Sequence, residues 1–172
     1  MTDHDDVRVP PRYSRVNPWV ISRDTDDEVR FLTSVFGASE TPKSRMLDPD
    51  GDIAHVEVEL GDTVIMLFDA KPGWPPTPAH LRIYVHDVAE TVERAVAAGA
   101  RVVTRPTPLP FGETIARVRD PQGHLWWLHE RIEDVSPEEM AGRFADPAAQ
   151  EAIAYVQRTL REELAAMNLD RS

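Results

Sequence analysis

One pattern of apolar and turn residues runs through this chain twice in succession, and so constrains the fold before anything else does. In the first copy the apolar run Val16 to Ser22 predicts a strand, and Thr25 followed by Glu28 reads as a capping box. Val29, Leu32, Val35 and Phe36 then recur at helical spacing until Gly37 supplies a stop. A further strand leads to the turn Asp48-Pro49-Asp50-Gly51. After it Ala54, Val56, Val58 and Leu60 alternate with His55, Glu57 and Glu59, and Gly61-Asp62 turns the chain into a strand over Thr63 to Phe68.

The same order returns after the Pro-rich stretch Lys71 to Pro78. His80 to His86 is a strand, Asp87 and Glu90 cap a helix striped by Val88, Val92, Ala95 and Val96, and Gly99 ends it. Strands follow at Arg101 to Arg105, Glu113 to Arg119 and His124 to His129, the last two joined by Asp120-Pro121-Gln122-Gly123. Gly37 with Gly99, and Gly61 with Gly123, are both 62 residues apart, the mark of an internal duplication. The fold class is therefore α+β, two βαβββ modules at about 16–70 and 79–130. A polar arm (1–15) precedes them and a helical extension (131–172) follows. In that extension Ser136-Pro137-Glu138-Glu139 is a capping box, and Ile153, Val156, Leu160, Leu164 and Met167 stripe a long helix that must cover the domain body or a second subunit.

Composition narrows the function classes. A net charge of -11 with acids and bases interspersed leaves no basic footprint for nucleic acid. No apolar run reaches the ~18 residues of a membrane span, and the start lacks a signal layout, so a cytoplasmic protein is expected. The absence of cysteine removes disulfides, thiolate nucleophiles and Cys-based zinc sites.

Three segments carry a family resemblance: FLTSVFGA at 31–38, HVEVELGDTVIML at 55–67 and DPQGHLW at 120–127. They resemble the PhnB-like branch of the vicinal oxygen chelate superfamily (glyoxalase, bleomycin-resistance protein, extradiol dioxygenase), and EDVSPEEM at 133–140 is similar to that branch's tail. The resemblance implies a cup-shaped mixed sheet, with one metal ligand from the first and one from the last strand of each module. Asn17, Ile65 or Met66, His80 and Trp127 fall on those positions, and of these only His80 is a ligand for a hard or borderline ion. No metal cofactor is therefore expected; the displaced set His55, His80 and His129 is the alternative.

Strand alternation adds the remaining candidates. It turns His55, Glu57 and Glu59 away from the helices, together with His80, Arg82 and Tyr84, and with Ile115, Arg117 and Arg119. Trp19 shares the phase of Asn17, and His129 that of Trp127. The ligand-binding set is thus Asn17, Trp19, His55, Glu57, Met66, His80, Arg82, Tyr84, Arg117 and Trp127. A mixture of aromatics, His, Arg and Glu suits a small aromatic or amphipathic molecule with an anionic or hydrogen-bonding group. The expected protein is a small-molecule binder and homodimer. The rival is an enzyme: a metal-free lyase, isomerase or cyclase in which His80, Glu57 or Tyr84 performs acid/base work, or a metalloenzyme using the displaced set. His124 and His86, beside turns, are expected in solvent.

Overall fold

The computed structural model describes residues 8–169; the expectations for the arm and the extension also cover 1–7 and 170–172, which lie outside the described residues. The chain divides into two units, residues 1–78 and 79–172. The first contains β1 (Trp19–Ser22), α1 (Thr25–Phe36), β2 (Ser39–Glu40), β3 (Met46–Leu47), β4 (Ile53–Leu60) and β5 (Thr63–Asp69). Its sheet runs β1-β5-β4-β2 with β3 also on β4, and β1 is parallel to β5 while β4 is antiparallel to its neighbours.

The second unit contains β6 (His80–Tyr84), α2 (Val88–Ala97), β7 (Arg101–Leu109), β8 (Glu113–Arg119) and β9 (Leu125–Arg131), followed by α3 (Pro137–Ala145) and α4 (Pro147–Leu169). Its strand order, β6-β9-β8-β7, repeats that of the first, again with the first and last strands parallel. The α+β class with two modules of βαβββ type and a helical tail is thus the observed one, the strand that precedes β4 being broken into β2 and β3. β7 continues through Pro106 and Pro108 because it is an edge strand, where a missing N–H removes no ladder bond.

The duplication extends to how each crossover helix is tied down. Asp24 and Asp87 are the N-caps, each accepting at 2.8 Å from the backbone N–H three residues on. A carboxylate of each module's last strand reaches the same helix end: Asp69 accepts from Thr25 N–H at 2.8 Å and Glu130 from Val88 N–H at 3.0 Å. Beneath the helices, Val20, Val56, Val58 and Leu67 in one module and Ala116, Val118 and Leu128 in the other are almost wholly buried.

Several local expectations are corrected. β1 starts at Trp19, and Val16 is 83% exposed: Asn17 closes a turn on Ser14 instead, accepting from its N–H at 3.0 Å and donating to its carbonyl. Thr25 is the first helical residue of α1 and Asp24 its cap, since a carboxylate is the stronger acceptor for the frayed N–H groups. Ala54 is exposed and Ile53 buried, because a register shift between β3 and β4 reverses the alternation there. His124 is buried rather than solvated, its Nδ1 accepting from Ala79 N–H at 3.0 Å.

The long helix packs on its own unit, against β7. Its inward face combines most of the apolar stripe with polar residues: Val156 and Glu163 are buried, Ile153, Tyr155, Thr159, Leu160 and Met167 half-buried, and Leu164 exposed. Polar contacts hold this face. Thr159 meets Thr104 at 2.8 Å, Tyr155 Oη accepts from Arg105 N–H at 3.1 Å, and Glu163 takes Arg101 at 2.7 Å together with Arg119. Among the described residues no helix is long and apolar enough to cross a membrane.

Candidate functional site

Side chains that sit opposite one another in a sheet share a face, so the registers assign the candidates directly. In the first module Trp19, Met66 and Glu57 stand side by side across β1, β5 and β4. Trp19 is 52% exposed, with the rings of His55 and Phe68 at 5.5 and 5.3 Å. Glu57 is buried. It accepts from Tyr13 Oη at 2.6 Å and Arg12 Nη2 at 3.1 Å, and His55 Nε2 lies 3.2 Å away. The bond from Tyr13 holds the Glu57 carboxyl below its ordinary pKa, with His55 and Arg12 adding to it against the effect of burial, and the same bond raises the Tyr13 phenol.

The second module presents three successive rows: His80, Leu125 and Arg119; Arg82, Trp127 and Arg117; Tyr84, His129 and Ile115. A fourth pair, Arg131 with Glu113, closes the face. Glu113, which sequence reasoning missed, is its centre. It is 5% exposed and accepts from His129 Nδ1 at 2.7 Å, Tyr84 Oη at 3.1 Å, and Arg82 and Arg131 at 3.3 Å each. Arg82 also donates to Tyr84. Burial pushes the Glu113 carboxyl up, but hydrogen bonds from His129 and Tyr84 outweigh it and keep the group below the usual glutamate value. Burial holds the His129 imidazole low despite its carboxylate partner.

The backbone fixes where Glu113 stands. Gly112 has φ +80°, and a Cβ there would come within 2.4 Å of the Glu133 carbonyl, so only glycine admits the close crossing of the chain after β9. A signal for Glu113 was available. The alternation that places Ile115, Arg117 and Arg119 on this face extends back by one more step to residue 113.

The structure therefore brings Arg82 and Tyr84 together around Glu113, and Arg117 onto Trp127, whose ring lies 3.8 Å beneath the guanidinium. It groups Trp19, His55, Glu57 and Met66 on the first module's sheet, and leaves Asn17 engaged in its turn. His80 stands four residues along the register from His129, roughly 13 Å at strand rise, too far to share one ion as the displaced metal set requires. Its imidazole is held low by burial and by the charges of Arg119 and Arg117, surroundings that repel a dication.

Three of the four positions that the family resemblance assigns to a metal hold weak donors. Asn17 is an amide tied to its own turn, Met66 a thioether and Trp127 an indole under a guanidinium, none of them by residue type a strong ligand for a hard or borderline ion, as His80 is.

Residues 14–128 match the sequence profile of the Glyoxalase/Bleomycin resistance protein/Dioxygenase superfamily. The chain is 29% identical over 145 residues to "Uncharacterized protein Rv0887c" of Mycobacterium tuberculosis, covering 78% of this chain and 82% of that one. Among solved structures it is similar to TioX from Micromonospora sp. ML1, with TM-score 0.53 and 27% identity over 67% of this chain and 98% of that one. The fold also matches the fosfomycin resistance protein FosX from Listeria monocytogenes, with TM-score 0.56 and 19% identity over 74% and 97% of the two chains.

Proposed function

Since the chain belongs to the glyoxalase/bleomycin resistance/dioxygenase superfamily, we propose that it binds a small aromatic or amphipathic molecule without a metal at the positions its relatives use. The observation that carries this reading is the Glu113 cluster. Two arginines, a tyrosine and a histidine converge on one buried carboxylate, while Arg82 and Tyr84 keep roughly half of their own surface accessible and so remain available to a ligand's polar group. Trp127, in the adjoining row, supplies the aromatic surface. The weak-donor chemistry of Asn17, Met66 and Trp127 favours binding without an ion at those positions.

A second reading has one specific observation in its favour. Glu57 and Glu113 are both ionised carboxylates bonded to a histidine and a tyrosine, an arrangement suited to moving a proton. A metal-free lyase, isomerase or cyclase would use that feature. For assembly, the exposed Ile132, Phe144 and Leu164 in and before the helical extension suit a homodimer, with a second copy covering them.

Native mass spectrometry of freshly purified protein tests these readings together. An organic adduct on the wild type that Glu113→Ala loses, on a dimer free of stoichiometric divalent metal, is the expected result. Zinc, manganese or iron retained through desalting would reject the metal-free reading, and an adduct-free protein that binds no member of an aromatic acid and amine panel would reject binding. Turnover of a bound compound, abolished by Glu113→Gln, would move the conclusion to the enzyme.

A further inference from the structure

Among the described residues, Arg117 is the one arginine of the second module's face without a carboxylate partner. It is 3% exposed. Its Nη1 donates to Thr104 Oγ1 at 3.0 Å and to the Val156 carbonyl of α4 at 2.9 Å, its plane lies on Trp127, and its Nε has no partner. Among the described residues no carboxylate lies within ion-pair distance of it, although Arg82 and Arg119 on either side each have one. Burial pulls its pKa down to about 10, so it remains a cation at neutral pH. A buried guanidinium with neutral acceptors and an idle Nε is costly to maintain, and such a group is ordinarily matched to an anion.

The long helix is what covers it. Val156 offers Arg117 a carbonyl oxygen, and Glu163, two turns further on and itself buried, offers a carboxylate to Arg119 and Arg101. An apolar side chain, a carbonyl oxygen and a carboxylate brought to Arg117 and Arg119 make up the chemical outline of an amphipathic acid.

We propose that Arg117, with Trp127 beneath it, is the seat for the carboxylate of an aromatic acid, and that α4 is a built-in occupant which such a ligand displaces. This rests on the ligand-binding role argued above for the same face. The end-on fork of Nη1 and Nη2 suits a carboxylate, which can take an N–H from each where the Val156 carbonyl takes one from Nη1 alone. Displacement is set by the difference between the two occupants, so the apparent affinity for the acid falls by the fraction of molecules in which α4 is released.

The test titrates 2-naphthoate, and neutral 2-naphthamide as control, into the full chain by calorimetry. It compares wild type, Glu163→Gln, and Glu163→Gln combined with Arg117→Met or Arg117→Lys. Weakening the Glu163 anchor is expected to tighten naphthoate binding by about tenfold or more. Arg117→Met should abolish the gain, Arg117→Lys should retain part of it, and naphthamide should bind every variant weakly. Naphthoate should also speed amide exchange across residues 150–165. Circular dichroism separates lost binding from lost fold, and the lysine variant keeps the test open if the methionine variant unfolds.

Equal naphthoate affinity in wild type and Glu163→Gln, equal binding of acid and amide, or no binding to any variant overturns the proposal. An adduct on the native protein that depends on Glu113 but not on Arg117 or Glu163 would overturn it while leaving the binding function standing.

Discussion

Glu57 and Glu113 are both buried carboxylates on the sheet side opposite their module's crossover helix, but they are held from different places. Glu57 stands in mid-sheet, level with Trp19 and Met66, and is held by Arg12 and Tyr13 from the segment before β1. Glu113 stands at the end of β8, and every partner it has comes from a strand of its own sheet. The middle position of the second module is occupied instead by Arg117, the residue under α4. A duplicated backbone with duplicated helix anchors has therefore kept one face and let the other diverge. The helix side must fill a core at fixed volume, while the opposite face answers only to what it binds.

The core side is where the largest effect is expected. Leu67 and Leu128 are both fully buried, on matching last strands, so each Leu→Ala should cost about 3 kcal/mol in urea unfolding. Similar losses would support equivalent cores. A loss at one site less than half that at the other would show that the modules repack differently around a deleted side chain, and would break the equivalence.

The carboxylates give a smaller, pH-dependent effect. Both are held below the ordinary glutamate pKa in the folded protein, so each contributes stability that is fully present above the unfolded value of about 4.3 and is lost as pH falls through the lower folded value. Glu57→Gln and Glu113→Gln should each cost about 1–2 kcal/mol near neutrality, and the difference from wild type should shrink below pH ~4. The comparison sharpens in a combined Arg12→Ala, Tyr13→Phe variant. It should reproduce much of the Glu57→Gln loss while leaving the Glu113 dependence unchanged, since the two clusters share no residue. A Glu113→Gln penalty that moved with those changes would contradict the separate supports.

The contrast also explains what the sequence could and could not disclose. Helix and strand periods, the Gly37 and Gly99 stops and the capping residue Asp87 follow from local chemistry, and they were readable. The alternation placed Glu57, Arg82, Tyr84 and Arg117 opposite the crossover helices, as the registers do, because strand period fixes phase. Glu113 escaped because it opens its strand beside Gly112, where a turn obscures where the alternation begins. The polar part of α4's inward face escaped for another reason: beside the apolar Ile153, Val156 and Leu160, Glu163 and Thr159 are drawn inward by Arg119, Arg101 and Thr104, partners some fifty residues away in sequence. Long-range polar pairing leaves no period to read. The holding of Glu57 by Arg12 and Tyr13 was hidden likewise, since a polar arm with two prolines carries no sign of what it touches.

The smallest expected effect concerns the two N-caps, which have the same geometry and different surroundings. Each aspartate accepts from the third backbone N–H of its helix at 2.8 Å, so an Asp→Ala change removes the same bond and by itself costs about 1 kcal/mol. The charge environments differ. The first turn of α1 already carries Asp26, Asp27 and Glu28, whereas that of α2 carries Glu90 alone. In a chain of net charge -11 the extra acids repel Asp24, an effect that Arg30 on Asp27 and Arg45 on Asp26 offset in part, and they also satisfy the positive end of the helix dipole that Asp24 would otherwise serve. Removing Asp24 thus relieves repulsion as it removes a bond, and Asp24→Ala should cost about half as much as Asp87→Ala. Because the repulsion is screened by salt and the hydrogen bond much less so, the two costs should approach each other as ionic strength rises to about 1 M. Urea unfolding of both variants at low and high salt decides it: a gap between them that does not narrow with salt would assign the difference to packing around Thr25 and Val88 rather than to charge.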